Sequence, residues 1–169
     1  MLVASRDRAS SVAMDVELLR ASPAIKVLWM LRDPRDVLTS RHPAAPDAFY
    51  VSPGRLIQSL ELYLRFKDEP QILPIRYEEL VLSPAAVQAG IAEAFQIEPS
   101  RAFTECHRHF PQFYQNIRAM HSIRPLDRGG VGRWRTTAAG TAYLEKTFAD
   151  HPNLISLSSR CGYDIDLGR

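Results

Sequence analysis

The sequence contains few cysteines and no long apolar run. Its 169 residues include 2 cysteines, Cys106 and Cys161, whose separation matches no metal-ligand or redox motif. No apolar run approaches the length of a transmembrane helix, and residues 1–11 lack the basic, apolar and small-residue segments of a signal peptide. We therefore expect two reduced thiols and a soluble, cytoplasmic protein.

The chain also lacks a large excess of charge of either sign. The chain has 21 Lys and Arg residues against 19 Asp and Glu residues, a formal net charge of +2. A nucleic-acid-binding domain carries a dense basic stripe, so this composition argues against a nucleic acid as partner. The small positive excess suits an anionic ligand. A hydrophobic content of 46% is enough for one core, and we predict a single domain over residues 1–169.

Metal-ligand patterns are equally sparse. His107 and His109 form an HxH pair, but no third ligand of suitable type stands at a recognisable spacing from them. We interpret them as two surface histidines and predict no metal cofactor.

The most informative stretch is a strand that turns abruptly into a helix. Val27–Leu31 is an unbroken apolar run, which predicts a parallel strand buried on both faces. After Arg32, Pro34 is suited to the first helical position, with Asp33 before it as the N-cap. Asp36 stands where the acidic partner of a capping box would lie.

This corner has the chemistry of an anion site. Ligands of open α/β sheets bind outside the carboxyl ends of strands, and helix N-termini favour anions. Arg32 adds a bidentate cationic donor at the corner, and Ser40 adds a hydroxyl about two turns along the helix. We predict a phosphate site here; the alternative is an arginine that caps a sheet edge and a serine on a solvated helix face.

The rest of the chain alternates between strand and helix patterns. This alternation predicts an α/β fold, a parallel sheet flanked by helices, with strands near 2–4, 26–32 and 71–76. We interpret Pro43–Pro53 as a loop, since it contains three prolines, and suggest that it shapes the acceptor pocket. Helices are predicted from residue 10 or 11 to about 21, over 54–66, 84–95, 101–109 and 139–150.

A glycine-rich and basic run occupies residues 128–135. Its three glycines in four positions let a backbone wrap closely round a ligand, and its three arginines supply positive charge. The run lacks the GxGxxG spacing and no strand precedes it, so it is not a Rossmann turn. A flexible glycine loop with solvated arginines is the alternative.

Three motifs together resemble those of PAPS-dependent sulfotransferases, where PAPS is 3′-phosphoadenosine 5′-phosphosulfate. They are Arg-Asp-Pro-Arg-Asp-Val from Arg32 with Ser40 eight residues later, Arg-Tyr-Glu-Glu-Leu from Arg76, and Arg-Gly-Gly-Val-Gly-Arg-Trp from Arg128. The third motif looks most like the bacterial branch. The resemblance implies a P-loop nucleotide-kinase-like fold and PAPS as sulfuryl donor. It also implies that Arg32, Ser40 and Arg128 bind the 3′-phosphate, and that Gly129 and Trp134 lie at the nucleotide.

One element of the family has no counterpart. Residues 1–11 contain nothing similar to the Pro-x-Ser-Gly-Thr-Thr loop that holds the 5′-phosphosulfate, so the chain resembles a sulfotransferase that begins at its second strand. We therefore expect an N-terminally incomplete fold, no sulfate turnover by residues 1–169 alone, and an open strand edge that favours self-association. As general base the resemblance suggests Asp7, which pairs equally well with Arg6 or Arg8, and less strongly His42.

The sequence thus predicts an enzyme that moves a sulfuryl group from PAPS to a hydroxyl or amine of a small molecule or glycan. The alternative is a non-catalytic nucleotide-binding or interaction module that keeps part of this fold. A nucleotide kinase is a third reading, against which the Arg-Asp-Pro-Arg-Asp run argues.

Overall fold

The computed structural model describes residues 16–42, 45–109, 125–136 and 138–166. The predicted strand at 2–4 and the candidate base Asp7 lie outside these residues. Within them, no helix is long and apolar enough to cross a membrane, and no cluster of three or more His, Cys, Asp or Glu side chains is arranged to hold a metal ion.

Two parallel strands carry the candidate site. Strand β1 (Val27–Leu31) pairs in parallel with β4 (Ile72–Arg76), in a register that places Val27 opposite Ile72 and Leu31 opposite Arg76. Both strands therefore end at the same edge of the sheet. The prediction of a parallel pairing between these two segments is confirmed.

The prediction that β1 is buried on both faces was wrong, because only Leu31 is buried, while Val27–Trp29 are partly buried and Met30 is exposed. Met30 is 51% exposed, while Leu31 is 6% exposed and belongs to the core. Among the described residues β1 has a strand partner on one edge only, and no described helix covers Met30 enough to bury it. The apolar run therefore predicted the strand correctly but predicted more burial than the structure shows.

The helices predicted over 54–66, 84–95 and 139–150 are confirmed to within one residue. The helix predicted over 101–109 is α-helical only over its last four residues, and the helix over 153–160 was not predicted. The corner helix α2 (Pro34–Leu38) and the long α3 (Pro53–Phe66) precede β4, and the others surround the strand pair. These others are α1 (Val16–Ala21), α4 (Tyr77–Leu82), α5 (Pro84–Phe95), α6 (Cys106–His109), α7 (Ala138–Asp150) and α8 (Asn153–Arg160). The main core lies where α3, α7 and α8 pack, around Leu60, Leu144 and Leu154.

The segment interpreted as a loop contains a β-hairpin. Strand β2 (Arg41–His42) pairs antiparallel with β3 (Ala45–Phe49). Of the three prolines that favoured a loop, Pro46 lies within β3, Pro53 begins the following helix, and Pro43 lies outside the described residues. A proline is tolerated in such a two-stranded ribbon, where both strands are edge strands. Phe49 anchors the hairpin by stacking on Tyr143 of α7, with ring centroids 3.9 Å apart.

Candidate functional site

The corner between β1 and α2 is held by local caps and by one distant carboxylate. Asp33 is the N-cap as predicted, and its Oδ1 accepts a hydrogen bond from the backbone N–H of Arg35 at 2.8 Å. Pro34 occupies the first helical turn. The predicted capping box is wrong, however: the N–H of Asp33 donates to Glu78 Oε1 at 2.8 Å, and Asp36 bonds elsewhere.

Arg32 joins this corner to the glycine-rich run. Its Nη2 donates to the carbonyl oxygen of Gly130 at 2.7 Å, and its guanidinium carbon lies 4.5 Å from the centroid of the Tyr77 ring. Its Nε is buried and has no hydrogen-bond partner among the described residues. A buried donor without an acceptor is costly, so this nitrogen is suited to an anion.

The Arg-Tyr-Glu-Glu-Leu motif supports the same corner from β4. Glu78 accepts hydrogen bonds with both oxygens, one from the Asp33 N–H and one from the Tyr163 hydroxyl at 2.9 Å. Burial raises the pKa of Tyr163, and the negative charge of Glu78 raises it further. Arg76 lies over the Tyr163 ring at 4.7 Å and donates to the carbonyl of Gly162 at 3.0 Å. The motif thus ties the chain end at 161–163 to the corner.

The glycine-rich run forms two short 3₁₀ turns, Arg128–Gly130 and Arg133–Thr136. A Cβ added to Gly130 would lie 2.6 Å from the Tyr77 hydroxyl oxygen, so a side chain does not fit there without displacing Tyr77. Gly132 has φ +69°, a conformation that other residues rarely adopt. Gly130 is therefore required by the close approach of the run to Tyr77, and Gly132 by its backbone conformation.

Corner, hairpin and glycine-rich run enclose one cavity of about 550 Å³. Three arginines line it, namely Arg32 from the corner, Arg41 from the hairpin and Arg133 from the second 3₁₀ turn. Two carboxylates, Asp36 and Asp127, also line it. The cavity is thus rich in cationic donors at the carboxyl edge of the parallel strands, where the sequence predicted an anion site.

The structure brings three of the predicted ligand residues to this cavity. Arg32, Ser40 and Gly129 all line it. The Ser40 hydroxyl donates to the carbonyl oxygen of Asp36 at 2.6 Å, so its oxygen still has acceptor capacity while its proton is engaged within the helix.

Two other predicted residues lie away from the cavity lining. Arg128 is exposed, and its Nη2 is 3.5 Å from the carbonyl oxygen of Leu82. Trp134 is 4% exposed and belongs to the core, with the guanidinium groups of Arg35 and Arg135 at 4.5 and 4.4 Å from its ring. The indole therefore anchors the run rather than facing the cavity. The backbone of His42 lies in β2.

Sequence reasoning missed Arg41, Arg133 and Asp36 as site residues. Arg133 stands in the same basic run as Arg128, and spacing alone does not tell which of them lines the cavity. Arg41 is placed by the unpredicted hairpin. The contacts of Asp36 lie 96 and 98 residues along the chain, beyond any local pattern.

A family comparison agrees with the motifs. The chain matches the model of the sulfotransferase domain over residues 8–137, which is more than half of its length. It therefore belongs to the sulfotransferase domain family, a group of enzymes that transfer sulfuryl groups, and the resemblance noted in its motifs is confirmed at that level. Comparison with the curated proteins and with the solved structures yields no significant match.

Proposed function

We propose that this cavity binds the 3′-phosphate end of PAPS, in a sulfotransferase whose acceptor is a hydroxyl or amine of a small molecule or glycan. The observation that carries the proposal is the buried Arg32 Nε, which has no acceptor among the described residues and belongs to a cavity wall. PAPS supplies the sulfuryl group, and the described residues supply binding.

The cavity suits such a ligand in size and charge. Pockets for small molecules and cofactors typically measure about 300–1,000 Å³, and this one measures about 550 Å³. Gly130 already accepts from Nη2 of Arg32, and we propose that the unpaired Nε donates to the phosphate. Arg41 and Arg133 add two further cations to the wall.

The remaining predicted residues enter the proposal with different weights. Ser40 and Gly129 line the cavity, and we propose that they contact the phosphate. Arg128 stands beside them and would reach the anion only by leaving the Leu82 carbonyl, so its contribution is smaller than that of Arg133. Asp7 stays our first candidate for the general base, with His42 second.

Calorimetry with adenosine 3′,5′-bisphosphate tests the proposal. Loss of a charge-assisted donor to phosphate costs about 1.5–3 kcal/mol, so Arg32→Ala should weaken binding by roughly one to two orders of magnitude. Ser40→Ala should cost less. Arg20→Ala is the matched control, because Arg20 pairs with Glu69 at an exposed site and does not line the cavity. Equal loss in the Arg20 and Arg32 variants would contradict the proposal.

Transfer is a separate property, measured on the same samples with PAPS and a generic phenol. The described residues provide donors for the 3′-phosphate, and residues 1–11 carry no sequence similar to the family's 5′-phosphosulfate loop. We therefore propose binding without turnover for residues 1–169 alone, as in the non-catalytic alternative. Robust sulfate transfer by this chain would contradict that part of the proposal.

A further inference from the structure

A buried carboxylate inside the wall of the cavity is the most unusual feature of this structure. Asp36 lies in α2, is 2% exposed, and forms no ion pair within the described part of the chain. An anionic group in the lining of an anion site is unfavourable by itself, because like charges repel strongly where water is excluded. Its presence there requires another physical reason.

Its hydrogen bonds supply that reason. Oδ2 accepts from the backbone N–H of Gly132 at 2.8 Å, and Oδ1 accepts from the N–H of Trp134 at 2.9 Å. Both donors belong to the glycine-rich run, and an ionised carboxylate is an acceptor at both oxygens. Backbone N–H groups that converge on one anion form an electropositive concavity. Here the protein fills that concavity with its own side chain.

These two hydrogen bonds to Asp36, called the clamp below, fix the two sides of the cavity relative to each other. On one side, α2 continues from the corner that carries Arg32. On the other, the clamped run contains Arg133 and the Gly130 carbonyl that accepts from Arg32. The side chain of Trp134 is buried in the core, which holds the run against the rest of the protein.

We propose that Asp36 is a positioning residue for the anion site, which holds the 128–136 run in its binding geometry before the ligand arrives. The inference rests on the proposed nucleotide binding for its functional consequence, but not for the clamp itself. Preorganisation of this kind raises affinity because the ligand does not have to order the run.

The direction in which Asp36→Asn changes nucleotide affinity separates a positioning role from a purely electrostatic one. Asp36→Asn keeps the side-chain volume but turns one acceptor into an NH₂ donor that faces a backbone N–H. If Asp36 positions the run, the Asp36→Asn variant should bind adenosine 3′,5′-bisphosphate about tenfold more weakly than the wild type. The backbone N–H that faces the new NH₂ group loses its acceptor, and this shifts the run toward an open state. If Asp36 only lies near the anion, removing its charge should tighten binding.

Asp127→Asn is the matched control. Asp127 lines the same cavity and accepts one hydrogen bond, from the Gly129 N–H at 2.9 Å, which an asparagine oxygen also accepts. This variant removes the same charge while it retains its hydrogen bond, so it should bind the bisphosphate more tightly. Weaker binding in Asp36→Asn together with tighter binding in Asp127→Asn supports the clamp, and tighter or unchanged binding in both overturns it.

Hydrogen exchange gives a readout that does not depend on nucleotide. In Asp36→Asn the amides of Gly132 and Trp134 should exchange faster, while the Trp29 amide in the β1–β4 pair keeps its wild-type rate. If the variant does not fold, hydrogen exchange of the wild type alone tests the inference. Exchange of its Gly132 and Trp134 amides at the rate of unprotected peptide overturns the inference. Failure of the wild type to bind nucleotide would instead count against the proposed function.

Discussion

Arg133 and Arg128 are five positions apart, yet their guanidinium groups lie in different surroundings. Both residues are exposed, but Arg133 lines the cavity, whereas the Nη2 of Arg128 lies 3.5 Å from the Leu82 carbonyl oxygen. The resemblance to the sulfotransferase motif made Arg128 the stronger candidate, because Arg128 takes the place of the basic residue that directly precedes the first glycine. Arg133 begins a 3₁₀ turn, and this turn is held by a tertiary contact, the hydrogen bond from the Trp134 N–H to Asp36.

A paired substitution tests this difference. Arg133→Ala should weaken binding of adenosine 3′,5′-bisphosphate by about tenfold, as expected for a partly solvated charge-assisted contact. Arg128→Ala should change it by less than about threefold, the effect of a more distant charge screened by solvent. Titration calorimetry at one fixed ionic strength measures both. The reverse ranking would show that Arg128 leaves Leu82 and takes the phosphate.

Tyr163 makes the stability of the protein depend on alkaline pH. Its hydroxyl is buried, and the pKa of Tyr163 lies above its ordinary value of 10.0 because burial and then Glu78 disfavour the phenolate. The folded state therefore keeps this proton at a pH where the unfolded chain loses it. The resulting stability is complete below about pH 10 and declines by about 1.4 kcal/mol for each pH unit above it.

Tyr163→Phe should show this dependence by difference. Near pH 8 the variant should be less stable by about 1–3 kcal/mol, because Glu78 loses a hydrogen bond in a half-buried place. Above pH 10 only the wild type loses stability through ionisation of Tyr163 in the unfolded chain. The difference in free energy of unfolding between the wild type and the variant should therefore narrow. Urea unfolding from pH 8 to 11 measures it. A gap that stays constant over this range would mean that Tyr163 ionises as freely in the folded state as in the unfolded chain.

At the scale of elements, local chemistry was predictable and distant contacts were not. The start of α2 follows from Asp33 and Pro34 alone, and the parallel pairing of β1 with β4 follows from the strand and helix order. The hairpin of β2 and β3 was missed because its anchor is the stacking of Phe49 on Tyr143, far along the chain. The clamp of Asp36 was missed for the same reason.

The edge of β1 opposite β4, which no described strand covers, carries a prediction about association. Val27 donates its N–H to Gln71 beside β4, so by the two-residue period of a strand the N–H groups of Leu28 and Met30 point to the other edge. No described strand pairs there. We expect concentration-dependent self-association in sedimentation, with the Leu28 and Met30 amides becoming protected from exchange only in the associated form. Protection already present in the monomer would mean that this edge is covered within the chain.

At the scale of the whole molecule, the site is assembled from segments that are distant in sequence. Corner, hairpin, β4 motif and glycine-rich run meet at the carboxyl edge of two parallel strands, with Glu78 and Asp36 as the carboxylates that join them. Motif order was sufficient to indicate the family, which the match over residues 8–137 bears out. That Arg41 and Arg133 line the cavity could be seen only in the folded chain.

The central claim is that this cavity recognises a 3′-phosphate through Arg32. The direct test is calorimetry of adenosine 3′,5′-bisphosphate and adenosine 5′-monophosphate with the wild type and with Arg32→Ala. The wild type should bind the bisphosphate at least about tenfold more tightly than the monophosphate, and Arg32→Ala should lose most of this preference because the arginine is the donor that the extra phosphate meets. Equal affinity of the wild type for both nucleotides, or a preference that survives Arg32→Ala, would contradict the claim.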